Sequence, residues 1–219
     1  MVNRSEIVDL FGVSFKRFLH DNFSSTEQMT DAITGSAIVT PRLFEVELST
    51  QALQDSTAKV YYNFPGFNPF YSTLIFKLQF SSIADAWAFV GVKGSTDDPT
   101  DPMIESHAGY IFDSGKIYAS TADGTNQQKI LLADVIATNN ILYRISSNHF
   151  SNYPLPIIYP YFDSIRVEKP TRKWSTDAIL ATYPPTNKDH YFVAFITNTV
   201  NKNKYLRIKH VTYGEEYAD

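Results

Sequence analysis

The 219-residue sequence contains no cysteine, so neither a disulfide framework nor a thiolate metal site is available, and stability rests on packing. That absence leaves the redox compartment open. Charge of one sign is also scarce. The 19 basic and 23 acidic residues give a formal net charge of −4 without a long run of either sign, which argues against a phosphate-backbone binder and so against a nucleic-acid partner. Long apolar runs are missing too: stretches such as AWAFVGV at 86–92 fall far short of the roughly 20 residues that cross a bilayer, so no membrane span is expected. The amino terminus mixes acids and bases through its apolar positions and lacks the continuous apolar core of a secretory signal. There is no G-x-S-x-G, phosphate loop or dinucleotide fingerprint. His20, His107, His149, His190 and His210 form no i, i+4 pair or short cluster of metal-site type.

What the chain does have is aromatic side chains: 14 Tyr, 16 Phe and 2 Trp make up 15% of it. Tyr and Phe suit a pleated, half-buried surface, so an all-β core accounts for most of this excess before any ligand is invoked. Period-two patterning supports the same class. Leu74, Phe76, Leu78 and Phe80 alternate with Ile75, Lys77 and Gln79, and Ile141, Tyr143 and Ile145 alternate with Leu142, Arg144 and Ser146. SAIVT, LFEVELS and TAKVYYN read as strands, and so does the segment around Ile165 and Val167. Asp113-Ser114-Gly115 and Asp123-Gly124 supply the positive-φ residues of tight loops, which makes Ser106 to Leu132 consecutive antiparallel strands within a meander running from Ser72 to Thr125. Between the strands at 141 and 165, Pro154, Pro156 and Pro160 point to an extended irregular path. HYFVAFITN and KYLRIKHVT, joined by Thr199 to Asn203, form a hairpin that closes the sheet. Residues 1–24 are an arm, either a short amphipathic helix over 5–20 or a first strand from Phe15 to Phe23, and residues 25–219 are the β-sandwich domain.

The order GSAIVTPRLFEVELST, STAKVYYNF, LIFKLQF with AWAFVGV, SHAGYIFDSGKIYASTADGT and the closing HYFVAFITNTVNKNKYLRIKHV resembles the concanavalin A-like lectin/glucanase superfamily, over about residues 25–215. The strand order is closest in character to jelly-roll domains of phage and archaeal virus structural proteins, with Trp87 to Gly91, His107 to Phe112 and Asp123-Gly124 at matching places. The resemblance implies an all-β antiparallel sandwich of jelly-roll type. It also implies a virion subunit that self-associates into a homo-oligomer or joins other virion proteins, with host-surface glycan as a further partner. A lectin-like carbohydrate-binding module and a glycoside hydrolase or lyase are the alternatives. Independently of the resemblance, a glycine at 109 suits a place where another backbone or a bulky side chain approaches closely.

Hydrolysis of a glycosidic bond needs two carboxylates, and Glu45 and Glu47 share one face of LFEVELS. The interleaved E-x-D-x-E signature is absent, so a solvated strand face is the simpler account and no catalytic residue is assigned. Asp97, Asp98 and Asp101, with Glu105, are hard oxygen donors of the kind calcium uses, although their spacing fits no known loop, and no other cofactor is indicated. Two aromatic segments are candidate ligand surfaces: Tyr62, Phe67, Phe70 and Tyr71 in the first, and His149, Tyr153 and Tyr159 in the second. Flat apolar rings with polar edges serve sugar clefts and protein interfaces alike.

Overall fold

The computed structural model describes residues 15–21, 29–42, 45–64, 72–82, 84–133, 141–149, 158–166, 171–176 and 190–216, and these form strands and connections without a helix. In chain order the strands are β1 (Phe15–Asp21), β2 (Thr30–Thr34), β3 (Ile38–Arg42), β4 (Glu45–Ser49), β5 (Thr57–Phe64), β6 (Ser72–Phe80), β7 (Ala86–Lys93), β8 (His107–Asp113), β9 (Lys116–Ala122), β10 (Gln127–Ala133), β11 (Ile141–His149), β12 (Ile158–Arg166), β13 (Thr171–Thr176), β14 (His190–Asn198) and β15 (Tyr205–Glu216). They build two antiparallel sheets. The eight-stranded sheet runs β13-β12-β11-β6-β15-β4-β3, with β1 also paired to β15, and the seven-stranded sheet runs β10-β9-β8-β7-β14-β5-β2.

The two inner faces meet in an aromatic layer. Phe76 of β6 stacks on Tyr143 at 5.8 Å between centroids and meets Tyr110 edge-on across the sandwich, also at 5.8 Å. Phe80 and Phe112 approach to 4.6 Å across the same interface. The Tyr110 hydroxyl donates to the Arg144 carbonyl at 2.6 Å, so a fully buried ring finds a partner in the opposite sheet. Much of the aromatic excess is used here.

Side-chain parity explains which residues reach this layer. In β15, Leu206 and Ile208 face the core while Tyr205 and Arg207 face outward, and an irregularity between Ile208 and His210 then shifts the register by one. That bulge turns Val211 inward, where strict alternation from Ile208 would have turned it out. The β8–β9 hairpin closes through Ser114 (φ 49°) and Gly115 (φ 87°), the two positive-φ residues of a type I′ turn.

Of the two readings of the arm, the strand is the one found: Phe15–Asp21 pairs with β15. Three expectations change. The meander begins at β7, because β6 lies in the other sheet. HYFVAFITN and KYLRIKHVT are likewise split between sheets, so their link is a crossover and not a hairpin; loop length alone does not distinguish a turn from a step across a gap of about 10 Å. The irregular path after β11 is shorter than expected, since the ladder continues to His149 opposite Ile158 and takes in Pro160 opposite Ser147. Among the described residues β13 pairs with β12 from Phe162 onward, so Pro160 is described with a ladder neighbour on the β11 side, where its missing N–H is tolerated. Pro154, Pro156 and Val167 lie outside the described residues. Two strands, β2 and β13, have no counterpart in the sequence-based expectation.

Two crossovers run side by side and are fastened to each other. The buried Asn198 amide donates to the carbonyls of Val200 (2.9 Å) and Lys202 (3.0 Å), while its Oδ1 accepts the Ser56 N–H at 3.0 Å. Thr50 N–H donates to the Lys204 carbonyl at 2.9 Å, and Lys204 N–H returns to Thr50 Oγ1 at 3.0 Å. Replacing Asn198 by Ala leaves several buried groups of both connections without partners, and about 2–4 kcal/mol of stability is expected to be lost in urea unfolding. A loss below about 0.5 kcal/mol would show the clasp to be dispensable.

Candidate functional site

The outer face of the seven-stranded sheet carries a second apolar cluster, separate from the core: Trp87, Phe89, Ile111, Val193 and Phe195, with Tyr61, Tyr118 and Tyr191 half-buried around it. The pairing aligns these side chains in levels across the sheet. Lys59, Phe195, Phe89, Ile111 and Tyr118 share one level, and Tyr61, Val193, Gly91, Gly109 and Ser120 share the next. At the second level Gly91 faces Gly109, and the Phe89 ring lies where a Cβ on Gly109 would stand. The glycine therefore admits a bulky side chain, as its place in HAGYIF suggested.

Phe89, Ile111 and Val193 are fully buried although they face outward, because the connection from 94 to 106 lies over them and inserts Met103 into the cluster. Lysines fasten this loop. Lys59 Nζ donates to the Thr96 carbonyl at 2.6 Å and to Asp98 at 2.5 Å. Lys93 Nζ donates to Ser95 Oγ at 2.6 Å and pairs with Glu105. Lys129 reaches Asp101 at 3.8 Å and lies 4.4 Å from the Tyr118 ring centre. Burial pushes the Lys93 ammonium down to about 8; Lys59 acts in the same direction, against the upward pull of Asp97 and Asp98.

A neutral chain of hydrogen bonds completes the anchoring. Met103 N–H donates to Gln127 Oε1 (3.2 Å), Gln127 Nε2 donates to Ser120 Oγ (3.0 Å), Ser120 donates to His107 Nε2 (2.8 Å), and His107 Nδ1–H donates to the Glu105 carbonyl (2.7 Å). The carbonyl can only accept, so the proton of the neutral ring sits on Nδ1. Burial, then the nearby Lys93 charge, holds the imidazole down to about 3. Ser120 beside His107 resembles a nucleophile with its base, but both are completely buried and the serine proton is already committed. The pair works as a structural anchor.

Glu45 and Glu47 share a strand face, as expected, on the outer side of the other sheet. There Arg207 Nε donates to Glu47 at 2.6 Å and lies 3.6 Å from Glu45, while Arg42 donates to Glu47 at 3.0 Å. Burial pushes the Glu47 carboxyl up, but the hydrogen bonds and charges of Arg207 and Arg42 outweigh it and hold the group below its ordinary value. A carboxylate tied to two guanidiniums serves poorly as a general acid.

Of the candidate ligand residues, Tyr62 is turned into the core, 4% exposed and 5.9 Å from Phe192, because its parity is that of Val60 and not of Tyr61; it offers no ligand surface. His149 and Tyr159 are strand residues of β11 and β12, paired with Ile158 and Asn148, and their side chains lie outside what is described. Phe67, Phe70, Tyr71 and Tyr153 also lie outside the described residues. Asp98 and Asp101 are each engaged by a lysine, and among the described residues no three acidic, His or Cys side chains group as metal ligands. No helix among them is long and apolar enough to cross a membrane.

Two measurements test this arrangement. Below pH 6.5 the unfolded chain takes up a proton that the folded His107 refuses, so stability falls as pH drops from about 6.5 toward 3, by up to about 1.4 kcal/mol per pH unit from this residue. His107→Gln is expected to flatten the slope of urea-unfolding stability between pH 6.5 and 5, and an unchanged slope would contradict the neutral-anchor assignment. Gly109→Ala pushes against the Phe89 ring and is expected to cost about 1–3 kcal/mol by the same measurement.

No protein-family model matches the sequence, and no curated protein matches it. Solved structures do. The carbohydrate recognition domain of Emp47p aligns with a TM-score of 0.61 at 11% identity, over 94% of this chain and 97% of that one. The Ca²⁺-bound exoplasmic/lumenal domain of VIP36 gives 0.62 at 11% identity, over 92% and 91%. LamA from Zobellia galactanivorans, in complex with laminaritriose and laminaritetraose, gives 0.60 at 11% identity, over 92% and 100%. These structures lend nothing to the virion role or the self-association implied by the strand-order resemblance. At such identity the likeness is one of fold: the chain is an antiparallel β-sandwich with the concanavalin A-like jelly-roll fold.

Proposed function

We propose that this domain binds carbohydrate, without hydrolysing it, on the outer face of its seven-stranded sheet. The carrying observation is the composition of that face. Tyr61, Tyr118 and Tyr191 are half-buried around a buried apolar floor and keep part of each ring accessible, and Tyr61 and Tyr191 meet edge-on at 6.4 Å. Such rings offer a flat apolar surface for a pyranose and a hydroxyl for its polar edge. Among the described residues, the outward-facing strand positions of this face carry one acid, Asp113 at the β8 terminus, and Asp98, Asp101 and Glu105 of the loop above are paired with lysines, whereas glycoside hydrolysis requires two facing carboxylates free to move protons. Gly91, Gly109, Val193 and Ile111 occupy the middle of the face and bring no proton-transfer group. The lectin domains among the similar structures are consistent with binding, and the glucanase shares the fold without lending its chemistry.

Binding of the full chain to a diverse glycan array, followed by titration of the best ligand, tests this proposal. Tyr61→Ala and Tyr191→Ala are each expected to weaken that ligand by about tenfold, on the order of 1.4 kcal/mol, with little change in melting temperature. Silence across the array, or unchanged affinity in both variants, would remove it. Release of reducing ends from any bound polysaccharide would instead restore the hydrolase alternative.

A further inference from the structure

We infer that the glycan this face takes is acidic, bearing carboxylate or sulfate groups, and that the 94–106 loop occupies the same lysines as an internal competitor. This rests on the carbohydrate reading above and adds the ligand class. Lysines are unusual partners for a floor of Phe, Trp and Ile. Yet Lys59 and Lys93 share the strand face of that floor, with side chains 7% and 0% exposed. Lys129 belongs to the same face from β10. From β5 to β10 the strand order gives five inter-strand steps, about 24 Å in all, and Lys93 lies four residues along β7 from the level of Lys59, so the cations are spread over an area wide enough for several sugar units rather than gathered at a point.

Among the described residues, the anions that meet those lysines come from one segment. Asp98, Asp101 and Glu105 keep 52%, 49% and 42% of their side chains exposed, while the lysines beneath are covered. Cations are thus held inside and carboxylates outside, the reverse of what attachment to a sheet would require if either charge would serve. Burial of a lysine here has a cost visible in the molecule: desolvation, with the nearby Lys59 charge acting in the same direction, lowers the Lys93 ammonium to about 8. An apolar attachment would hold a loop to an aromatic floor without that cost, as Met103 already does. The array of lysines beside Tyr61, Tyr191 and Tyr118 is what a polyanionic glycan needs: rings for the sugar faces and ammonium groups for the acids. The loop carboxylates stand where the ligand's acids would sit; the Lys129–Asp101 pair, partly exposed on both sides, contributes only about 0.2–1 kcal/mol and exchanges readily, whereas the pairs of the buried Lys59 and Lys93 exchange only as the loop gives way to the ligand.

The experiment titrates the full chain with oligogalacturonate, a heparin oligosaccharide and neutral laminari- and manno-oligosaccharides, at low and high salt, in the wild type and two double variants. Asp98→Asn with Asp101→Asn, both on exposed side chains, is expected to tighten the acidic ligands by about fivefold and leave neutral ones unchanged. Lys59→Gln with Lys129→Gln is expected to weaken acidic ligands by at least about tenfold, and added salt is expected to do the same. Circular dichroism checks that the lysine variant folds, and the aspartate variant and salt series decide the matter if it does not. Binding of neutral glycans alone, or acidic binding indifferent to both variants and to salt, overturns the acidic assignment while the carbohydrate reading stands. Absence of any binding, including by the loop-neutralised variant, overturns both.

Discussion

Phe76 meets Tyr143 within its own sheet and Tyr110 and Phe192 from the other, and this aromatic contact layer is the constraint on which the architecture depends. Rings of this size hold two sheets at one spacing, and each ring forfeits apolar burial on the order of 2–3 kcal/mol if the layers slip by one residue. The parity of every strand follows. The bulge in β15 exists because Val211 has to rejoin the layer, and Tyr62 is lost to it as a surface residue. Only the residues of opposite parity are left for function.

The two outer faces then diverge in chemistry. On the eight-stranded sheet Glu45 and Glu47 are neutralised by Arg207 and Arg42, and the result is a self-contained ionic patch. On the seven-stranded sheet the charges are separated into layers, with lysines against the floor and acids on a loop above. Between them runs a hydrogen-bond chain whose direction is set from its ends: Met103 N–H and Gln127 Nε2 can only donate and the Glu105 carbonyl can only accept, which leaves Ser120 to donate to His107. His107 carries no charge because burial disfavours the imidazolium, and the nearby Lys93 charge adds to that penalty.

Several parts of this were legible in the sequence for definite reasons. The β7–β8–β9–β10 meander could be read because alternation coincides with Ser114-Gly115 and Gly124, whose positive φ marks the turns. The tolerance for a bulky neighbour at Gly109 could also be read. The edge strand β2 could not, because its burial pattern is almost uniformly exposed and supplies no period. The candidate site was partly visible: Lys59 shares parity with Tyr61 in TAKVYYNF, and Lys93 shares it with Trp87 and Phe89 in AWAFVGVK, so cations on an aromatic face were written there. The acidic loop drew attention as a calcium candidate because its partners lie 39 and 28 positions away in sequence for Asp98 and Asp101, and lysines are invisible to a search for ligand spacing.

By itself the sequence determined most of the strands, the tight turns of the meander and the alternation that makes one face apolar, since these depend on neighbours two to four residues apart. Only the tertiary structure decided which strands share a sheet, that Thr199 to Asn203 crosses between layers, and that loop 94–106 folds back over the tyrosine-rimmed face. Those outcomes depend on long-range packing and on ion pairs between distant segments, whose strength is created by the burial that folding itself produces.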